Sequence, residues 1–328
     1  MESEDVRAST VSGVKVTKVG FSSKDGKTQI KGLVWSPKSV KTSPKAIIQI
    51  VHGMEEHIGR YVDFANYLAL QGFVVCGADM LGHGMSVVDE DHLSCMPAEN
   101  GMDILIEDAH ELRKTVASRY SQQTPYFVFG HSLGSYIMRV YLSRFGKGIA
   151  GAVLCGAGQL PKILSVGGNL LAKLIVRSKG QDYRSSFLEN MGIGAYSQSV
   201  KNKRTDLDWL CTDAKVVDAY IADCLCGVSF SAGAYATTTS LTKQAARKKT
   251  ARQVPKNLPM LFVAGDQDPV GDNGKGVRRS VDLLEQAGVK QVDCKLYAGM
   301  RHEILNEPNK EDVYTDIVQW IEGVLRDR

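Results

Sequence analysis

The feature that most constrains this chain is a repeated alternation. Short runs that are apolar throughout are separated by segments whose apolar residues recur every three or four positions. "KAIIQIVHG", "FVVCGAD", "YFVFGHS", "IAGAVLCGAG", "PMLFVAGDQD" and "VDCKLYAG" are the strand-like runs. "RYVDFANYLALQG", closing at Gly72, "DILIEDAHELRKTVASRY", "LGSYIMRVYLSRFG", closing at Gly146, "GKGVRRSVDLLEQAG" and "EDVYTDIVQWIEGVLRD" carry the helical period. A strand that is apolar on both sides must be covered on both sides. The pattern therefore predicts a mostly parallel sheet between two layers of helices. "VKVTKVGFSS" and "TQIKGLVWSP", joined by the turn "KDG", read as a leading hairpin.

The rhythm stops near Gln159 and resumes near Pro259. Residues 159–255 read as helices and loops inserted between two parallel strands, with 1–158 and 256–328 forming the core. Such an insertion lies over the carboxyl ends of the strands, where open α/β sheets bind ligands, so it is expected to act as a cap or lid. The 328 residues, 43% hydrophobic and 23% charged, are ample for one large core with an insertion. The net charge of +4 is mild and its one basic run, Arg247-Lys248-Lys249, is short, so no nucleic-acid partner is expected. "MESEDVRAST" has neither a basic start nor an apolar stretch, so no signal peptide is expected, and no run approaches the about 18 apolar residues of a membrane span. Seven cysteines, an odd number with no second pair at zinc-ligand spacing, point to a reduced, cytoplasmic chain without structural metal. Cys76, Cys155 and Cys294 lie in strand-like runs and are expected to be buried thiols.

Within "FVFGHSLGSY", Gly130-His131-Ser132-Leu133-Gly134 fits G-x-S-x-G. Ser132 comes directly after a strand and directly before a helix. A serine on that tight turn is strained and exposed to ligand, and the positions two before and two after must be small; Gly130 and Gly134 meet that need. The Leu133 N–H would open the helix and point at an oxyanion, with the helix dipole behind it. The bland alternative is a glycine-flanked turn without chemistry.

A serine hydroxyl needs a base. Of seven histidines, His110 falls inside an amphipathic helix, His92 in a polar loop, and His131 beside the serine but directed away from it. His52, His57 and His83 precede the serine in loops at strand ends. His302, in "YAGMRHEI", alone follows a late strand, and the order serine, acid, histidine makes it the candidate base. The loop "MLFVAGDQDPVGD" offers Asp266, Asp268 and Asp272 as the acid, with turn capping as their bland role. A second oxyanion donor should follow an early strand; Gly53 in "VHGMEEH" lets the backbone turn inward, making the Met54 N–H the candidate.

With these motifs in order, the chain resembles the monoacylglycerol lipase and lysophospholipase branch of the α/β-hydrolases, also grouped with serine aminopeptidase-like hydrolases. "HGMEEHIGRY" is similar to the family's oxyanion loop, "DMLGHGMS" to its D-x-x-G-H-G-x-S segment, and "GHSLGS" to its elbow, where Ser135 replaces a commoner glycine. "AGDQDPVG" and "YAGMRHEILNE" resemble its acid and histidine segments, and this alignment favours Asp268 over Asp266. "RTDLDWLCTDAKVVDAYIADCLCGVSFSAGAY" resembles bacterial cap sequences, with Cys224 where those often carry proline. The resemblance implies an eight-stranded, mostly parallel α/β-hydrolase fold with helices on both faces and a helical cap between the sixth and seventh strands. It implies hydrolysis of carboxylic esters such as monoacylglycerols or lysophospholipids, by Ser132, Asp268 and His302, without a cofactor.

The cap segment "LPKILSVGGNLLAKLIVRSKG" interleaves Ile163, Leu164, Leu170, Leu171, Leu174, Ile175 and Val176 with Lys162, Lys173, Arg177 and Lys179. It reads chiefly as an amphipathic helix whose apolar side packs on the cap and lines an acyl tunnel, interrupted at Gly167 and Gly168. The other reading is transient contact with a membrane surface. Glu55, Glu56 and His57 lack a further metal-ligand set, and Glu56 and His57, with His52 and Gly53, are expected to support the oxyanion loop. "LGHGMS" lacks the lysine of a phosphate loop and reads as structural. Two rivals stand beside the lipid esterase. A serine aminopeptidase or amidase would use acidic cap groups, among Glu189, Asp206, Asp208, Asp213, Asp218 and Asp223, to hold an amine. A non-catalytic hydrolase-fold binding protein would not need serine, acid, base and oxyanion loop together.

Overall fold

The computed structural model describes residues 11–38, 43–159 and 162–328, with the side chains of Lys162, Ile163 and Leu164 outside that description. The N-terminal segment on which the signal-peptide expectation rests lies outside the described residues. The chain opens with the expected hairpin, β1 (Val14–Ser22) and β2 (Gln29–Pro37), paired antiparallel along their length. It continues through β3 (Ile47–Val51), α1 (Val62–Leu70), β4 (Val74–Ala78), α2 (Gly101–Ala117), β5 (Tyr126–His131), α3 (Leu133–Phe145) and β6 (Gly151–Cys155). After the inserted helices come β7 (Met260–Gly265), α10 (Lys275–Gln286), β8 (Val292–Tyr297) and α11 (Lys310–Arg326).

The eight strands form one sheet in the order β1-β2-β4-β3-β5-β6-β7-β8. β2 meets β4 antiparallel, and every pairing from β4 to β8 is parallel. Alternate residues of each strand feed opposite cores. Phe127 and Phe129 of β5 pack with Phe64, Leu68, Ile317 and Ile321 of α1 and α11. Tyr126 and Val128 face Leu105, Ile137, Tyr141 and Val277 of α2, α3 and α10. The chain leaves β3 to form β4 on one side and returns to form β5 on the other. That reversal opens a crevice at the carboxyl ends of β3 and β5, the place where a doubly wound sheet receives a ligand.

Between β6 and β7 lie α4 (Lys162–Lys179), α5 (Ser186–Met191), α6 (Ile193–Ser197), α7 (Ala214–Ala222), α8 (Ala232–Ala245) and α9 (Lys248–Gln253). Here two expectations need correction. α4 runs unbroken through Gly167 and Gly168, because packing on α8 outweighs the glycines' weak propensity. Asn169 Nδ2 donates to the Ala236 carbonyl and to the Thr239 and Ser240 hydroxyls of α8. The inward side of α4 carries Ser165, Asn169 and Ala172, with Leu171, Ile175 and Val176 packed half-buried on the core as expected, while Val166, Leu170 and Leu174 are exposed. None of the described α4 side chains lines the cavity described below. Cys294 is also exposed, because β8 is the edge of the sheet; Cys76 and Cys155 are buried. Among the described residues no helix is long and apolar enough to cross a membrane.

Candidate active site

Ser132 sits between β5 and α3 at φ 49° and ψ −116°, a conformation costly for any residue with a Cβ. Three contacts hold it there. Its N–H donates to the Cys155 carbonyl at 2.9 Å, and its own carbonyl accepts from the Ser135 N–H at 2.9 Å and the Ser135 hydroxyl at 2.6 Å. Ser135 thus fastens the turn. The flanking glycines are required by space: a Cβ on Gly130 would lie 2.5 Å from the Gly134 carbonyl oxygen, and one on Gly134 would lie 2.1 Å from that of Val51.

The loop after β3 comes directly over this turn, and a Cβ on Gly53 would meet the Cβ of Ser132 at 3.1 Å. His52 fixes how that loop faces. Its Nε2 accepts from the Met80 N–H at 2.9 Å, so its proton is on Nδ1, which donates to the Gly53 carbonyl at 2.8 Å. The planar trans peptide then turns the Met54 N–H the opposite way. Glu56 fixes the other end: its Oε1 accepts from the Gly53 N–H at 2.5 Å and from the Tyr61 hydroxyl at 2.7 Å. Burial opposes ionisation of Glu56, yet Arg60, the neighbouring histidines and Tyr61 hold its carboxyl down at about 2. Glu55 lies between them at φ 55°, its carbonyl accepting from the Tyr220 hydroxyl and the Gly227 N–H. Burial, with Glu189 nearby, pushes its carboxyl up to about 8.

His302 is buried in the loop after β8, and its Nδ1 lies 3.0 Å from Oδ1 of the fully buried Asp268. A carboxylate can only accept, so Nδ1 carries the proton and Nε2 keeps a lone pair. Burial works against charging the ring, but the charge and hydrogen bond of Asp268 outweigh it and hold His302 above the ordinary histidine value. Asp268 Oδ1 also accepts from the Val270 N–H at 2.9 Å. The other two loop aspartates are engaged elsewhere: Asp266 accepts from the Gly299 N–H, and Asp272 pairs with Arg279.

Ser132, His302, Gly53, Met54 and Leu133 line one cavity of about 140 Å³ under the inserted helices. His131 lines it too. Contrary to the sequence expectation, this ring does not turn away from the site; it packs on His302 with centroids 4.7 Å apart. Burial and the His302 charge push His131 down to about 4, so it stays neutral beside the candidate base. Trp209 packs on His302 from the inserted segment at 5.2 Å. That segment also grips the histidine loop: Leu210 accepts from the Glu303 N–H, and Arg301 donates to the Asp208 and Cys211 carbonyls. Sequence reading missed the ion cluster beneath. Arg60 is clasped by Glu56 and by both oxygens of Glu303, joining the loop after β3 to the loop that carries His302. The partners lie 243 positions apart, and no local pattern pairs them.

His57 binds the loop to the inserted helices. Its Nδ1 accepts from the Gly59 N–H, so Nε2 carries the proton that Asp223 Oδ2 accepts at 2.8 Å. Cys226 lies close by, and the three side chains have metal-ligand spacing. With both ring nitrogens so used, His57 has no lone pair to give a metal. The segment "LGHGMS" forms a turn held by Asp79, which accepts from the Ile58 and Met85 N–H groups. His83 there is buried and neutral, pushed down to about 3 chiefly by burial. His110 stacks on Phe145 at 4.0 Å in the helix layer.

A mostly parallel eight-stranded sheet, a strained serine between strand and helix, and an oxyanion-type loop over it define an α/β-hydrolase of the esterase and lipase kind. The chain belongs to the Hydrolase_4 family, described as serine aminopeptidase, S33, whose model matches residues 42–309. It is 27% identical over 295 residues to a monoacylglycerol lipase of Mycolicibacterium smegmatis, covering 88% of this chain and 91% of that one. It is 26% identical over 298 residues to the human monoglyceride lipase, covering 88% and 84%. A thermostable carboxyl esterase from Bacillus coagulans, solved in complex with glycerol, superposes with a TM-score of 0.86 at 31% identity, covering 94% of this chain and 99% of that one.

Proposed function

We propose that this chain is a serine carboxylester hydrolase that cleaves lipid esters of the monoacylglycerol or lysophospholipid type through an acyl-enzyme. The carrying observation is the buried Asp268–His302 hydrogen bond at the wall of the cavity that also holds Ser132. In this reading His302 Nε2 takes the proton of the Ser132 hydroxyl as its oxygen attacks the ester carbonyl. The Met54 and Leu133 N–H groups receive the oxyanion; Leu133 is in the first helical turn, where an N–H has no partner within the helix. The same proton then goes to the departing alcohol, and water, activated by His302, releases the acid. Residues 1–158 and 256–328 are the hydrolase core and 159–255 the cap. Similarity to monoacylglycerol lipases supports a lipid ester as substrate. So does the cavity wall, where Leu133, Tyr136, Ile193, Leu207, Leu210 and Val270 supply apolar surface.

The aminopeptidase reading finds less support. Asp206 pairs with Lys203 and Asp218 with Arg204; Asp208 accepts from Arg204 N–H and the Thr205 hydroxyl; Asp213 caps α7; Asp223 holds His57. None of the five, nor Glu189, lines the cavity. The two acids that do, Glu56 and Glu303, are committed to Arg60. Hydrolysis of p-nitrophenyl esters from acetyl to palmitoyl, beside monoacylglycerol and an aminoacyl amide, tests the proposal. Serine-dependent turnover is expected to favour medium or long acyl chains over acetyl by at least about tenfold, since each buried methylene contributes about 0.8 kcal/mol. Activity confined to acetyl esters or to the amide would overturn it.

The outward face of α4 supports a second element of the proposal, contact of the cap with a membrane surface. Leu170 and Leu174 are 61% and 55% exposed and one turn apart, with Lys173 and Arg177 beside them; Phe187 and Met191 of α5 are exposed as well. Apolar side chains ringed by cations suit an anionic lipid interface. Co-sedimentation with phosphatidylserine-containing vesicles at low salt is expected, and Leu170→Asp with Leu174→Asp should weaken it at least about tenfold. Absence of binding by the unaltered protein would remove this element and leave the hydrolase reading untouched.

A further inference from the structure

The cavity is not uniformly apolar. One wall is a face of α8 on which Tyr235, Thr238, Thr239 and Thr242 recur at helical spacing, and all four line the cavity. Two of these hydroxyls are satisfied by their own helix, as threonines in helices commonly are: Thr239 donates to the Tyr235 carbonyl at 2.7 Å and Thr242 to the Thr239 carbonyl at 3.1 Å. The other two are not. Tyr235 Oη and Thr238 Oγ1 are buried without a hydrogen-bond partner among the described residues. Tyr235 is 6% exposed, and its ring is wedged between Phe230, with centroids 5.8 Å apart, and the backbone at Gly192.

A buried hydroxyl left unpaired loses its hydration and gains nothing in return. Phenylalanine and valine would fill the same two volumes without that cost. The hydroxyls therefore call for a partner from within the cavity. Their place in it indicates which part of a substrate supplies that partner. The departing alcohol must lie against His302, the ring on which Trp209 packs. Tyr235 instead packs on Phe230, which packs on His83 under the oxyanion loop. An acyl chain that leaves the carbonyl carbon away from His302 and Trp209 has this wall to run along, since both sides line the same cavity.

We infer that Tyr235 and Thr238 form a polar subsite in the acyl channel, selecting esters whose acyl chain bears a hydroxyl or similar oxygen. This inference rests on the proposed ester hydrolysis. It is tested with p-nitrophenyl octanoate and its positional hydroxyoctanoates, on the full chain and on Tyr235→Phe combined with Thr238→Val. At one hydroxyl position the unaltered protein should show kcat/KM about tenfold or more above the plain octanoate, and the double variant should bring that ratio to near one. The variant should also melt about one to two degrees higher without substrate, since two unpaired hydroxyls are gone. A ratio near one at every position in the unaltered protein, or a preference that survives in the variant, would overturn the inference. An alcohol arm compares glycerol monooctanoate with propyl octanoate. Loss of a glycerol preference in the variant, with no hydroxyacyl effect, would move the contact to the alcohol and overturn the acyl assignment. Failure of the underlying reading looks different: no ester is turned over and a fluorophosphonate does not label Ser132. The subsite is then read by binding of the same ester pair to the Ser132→Ala protein, where equal affinities for hydroxylated and plain esters would overturn it.

Discussion

Replacing Ser132 with alanine is expected to lower turnover of every ester substrate by at least about 10⁴-fold and to abolish fluorophosphonate labelling. Alanine keeps the Cβ, so the packing of Gly53 against it is preserved. It removes only the oxygen that would form the acyl-enzyme. The oxyanion donors and the cavity would remain, and substrate should still bind. The same position predicts a trade between stability and chemistry. The backbone at φ 49° and ψ −116° is strained for any residue with a side chain, at a cost of roughly 1–3 kcal/mol. Ser132→Gly is therefore expected to be as inactive as Ser132→Ala yet about 1 kcal/mol more stable in urea unfolding. An alanine protein that kept more than a few per cent of activity would end the assignment of Ser132 as nucleophile.

The strand–helix alternation was readable because the interior parallel strands β3 to β7 are buried on both faces and must be mostly apolar, and Ser132 because its turn demands small neighbours on both sides. The three loop aspartates were not separable by composition. The family resemblance favoured Asp268, and in three dimensions Asp266 accepts from the Gly299 N–H, Asp272 pairs with Arg279 and Asp268 meets His302. What stayed hidden depends on which neighbour a face meets. The apolar residues of α4 divide between two faces: Leu171, Ile175 and Val176 pack inward as expected, while α8 receives Asn169 through hydrogen bonds and Leu170 and Leu174 stay outside. Cys294 sits in an apolar run, but its strand ends the sheet and has no neighbour beyond it. His131 was judged by its position beside a tight turn. Its packing on His302 depends on a loop that arrives from the far end of the chain.

Asp268→Asn should be the next most damaging change, lowering kcat about 10³- to 10⁴-fold with the fold intact. Asparagine can present its carbonyl oxygen to the His302 Nδ1–H and the Val270 N–H, keeping the ring in place. It carries no charge to stabilise the imidazolium that forms when His302 accepts the serine proton. The pH profile distinguishes this from simple damage. In the unaltered protein His302 is held above the ordinary histidine value because Asp268 outweighs burial. In the proposed mechanism its base form is needed for attack, so kcat/KM on a p-nitrophenyl ester should fall as pH drops through a point above about 6.5. Without the aspartate charge, burial counts for more, the proton is bound less tightly, and the acid limb should move to lower pH while the plateau drops. A collapsed plateau with an unmoved limb would mean that another group sets the acid limb, and an unchanged plateau would return the acid's role to Asp266 or Asp272.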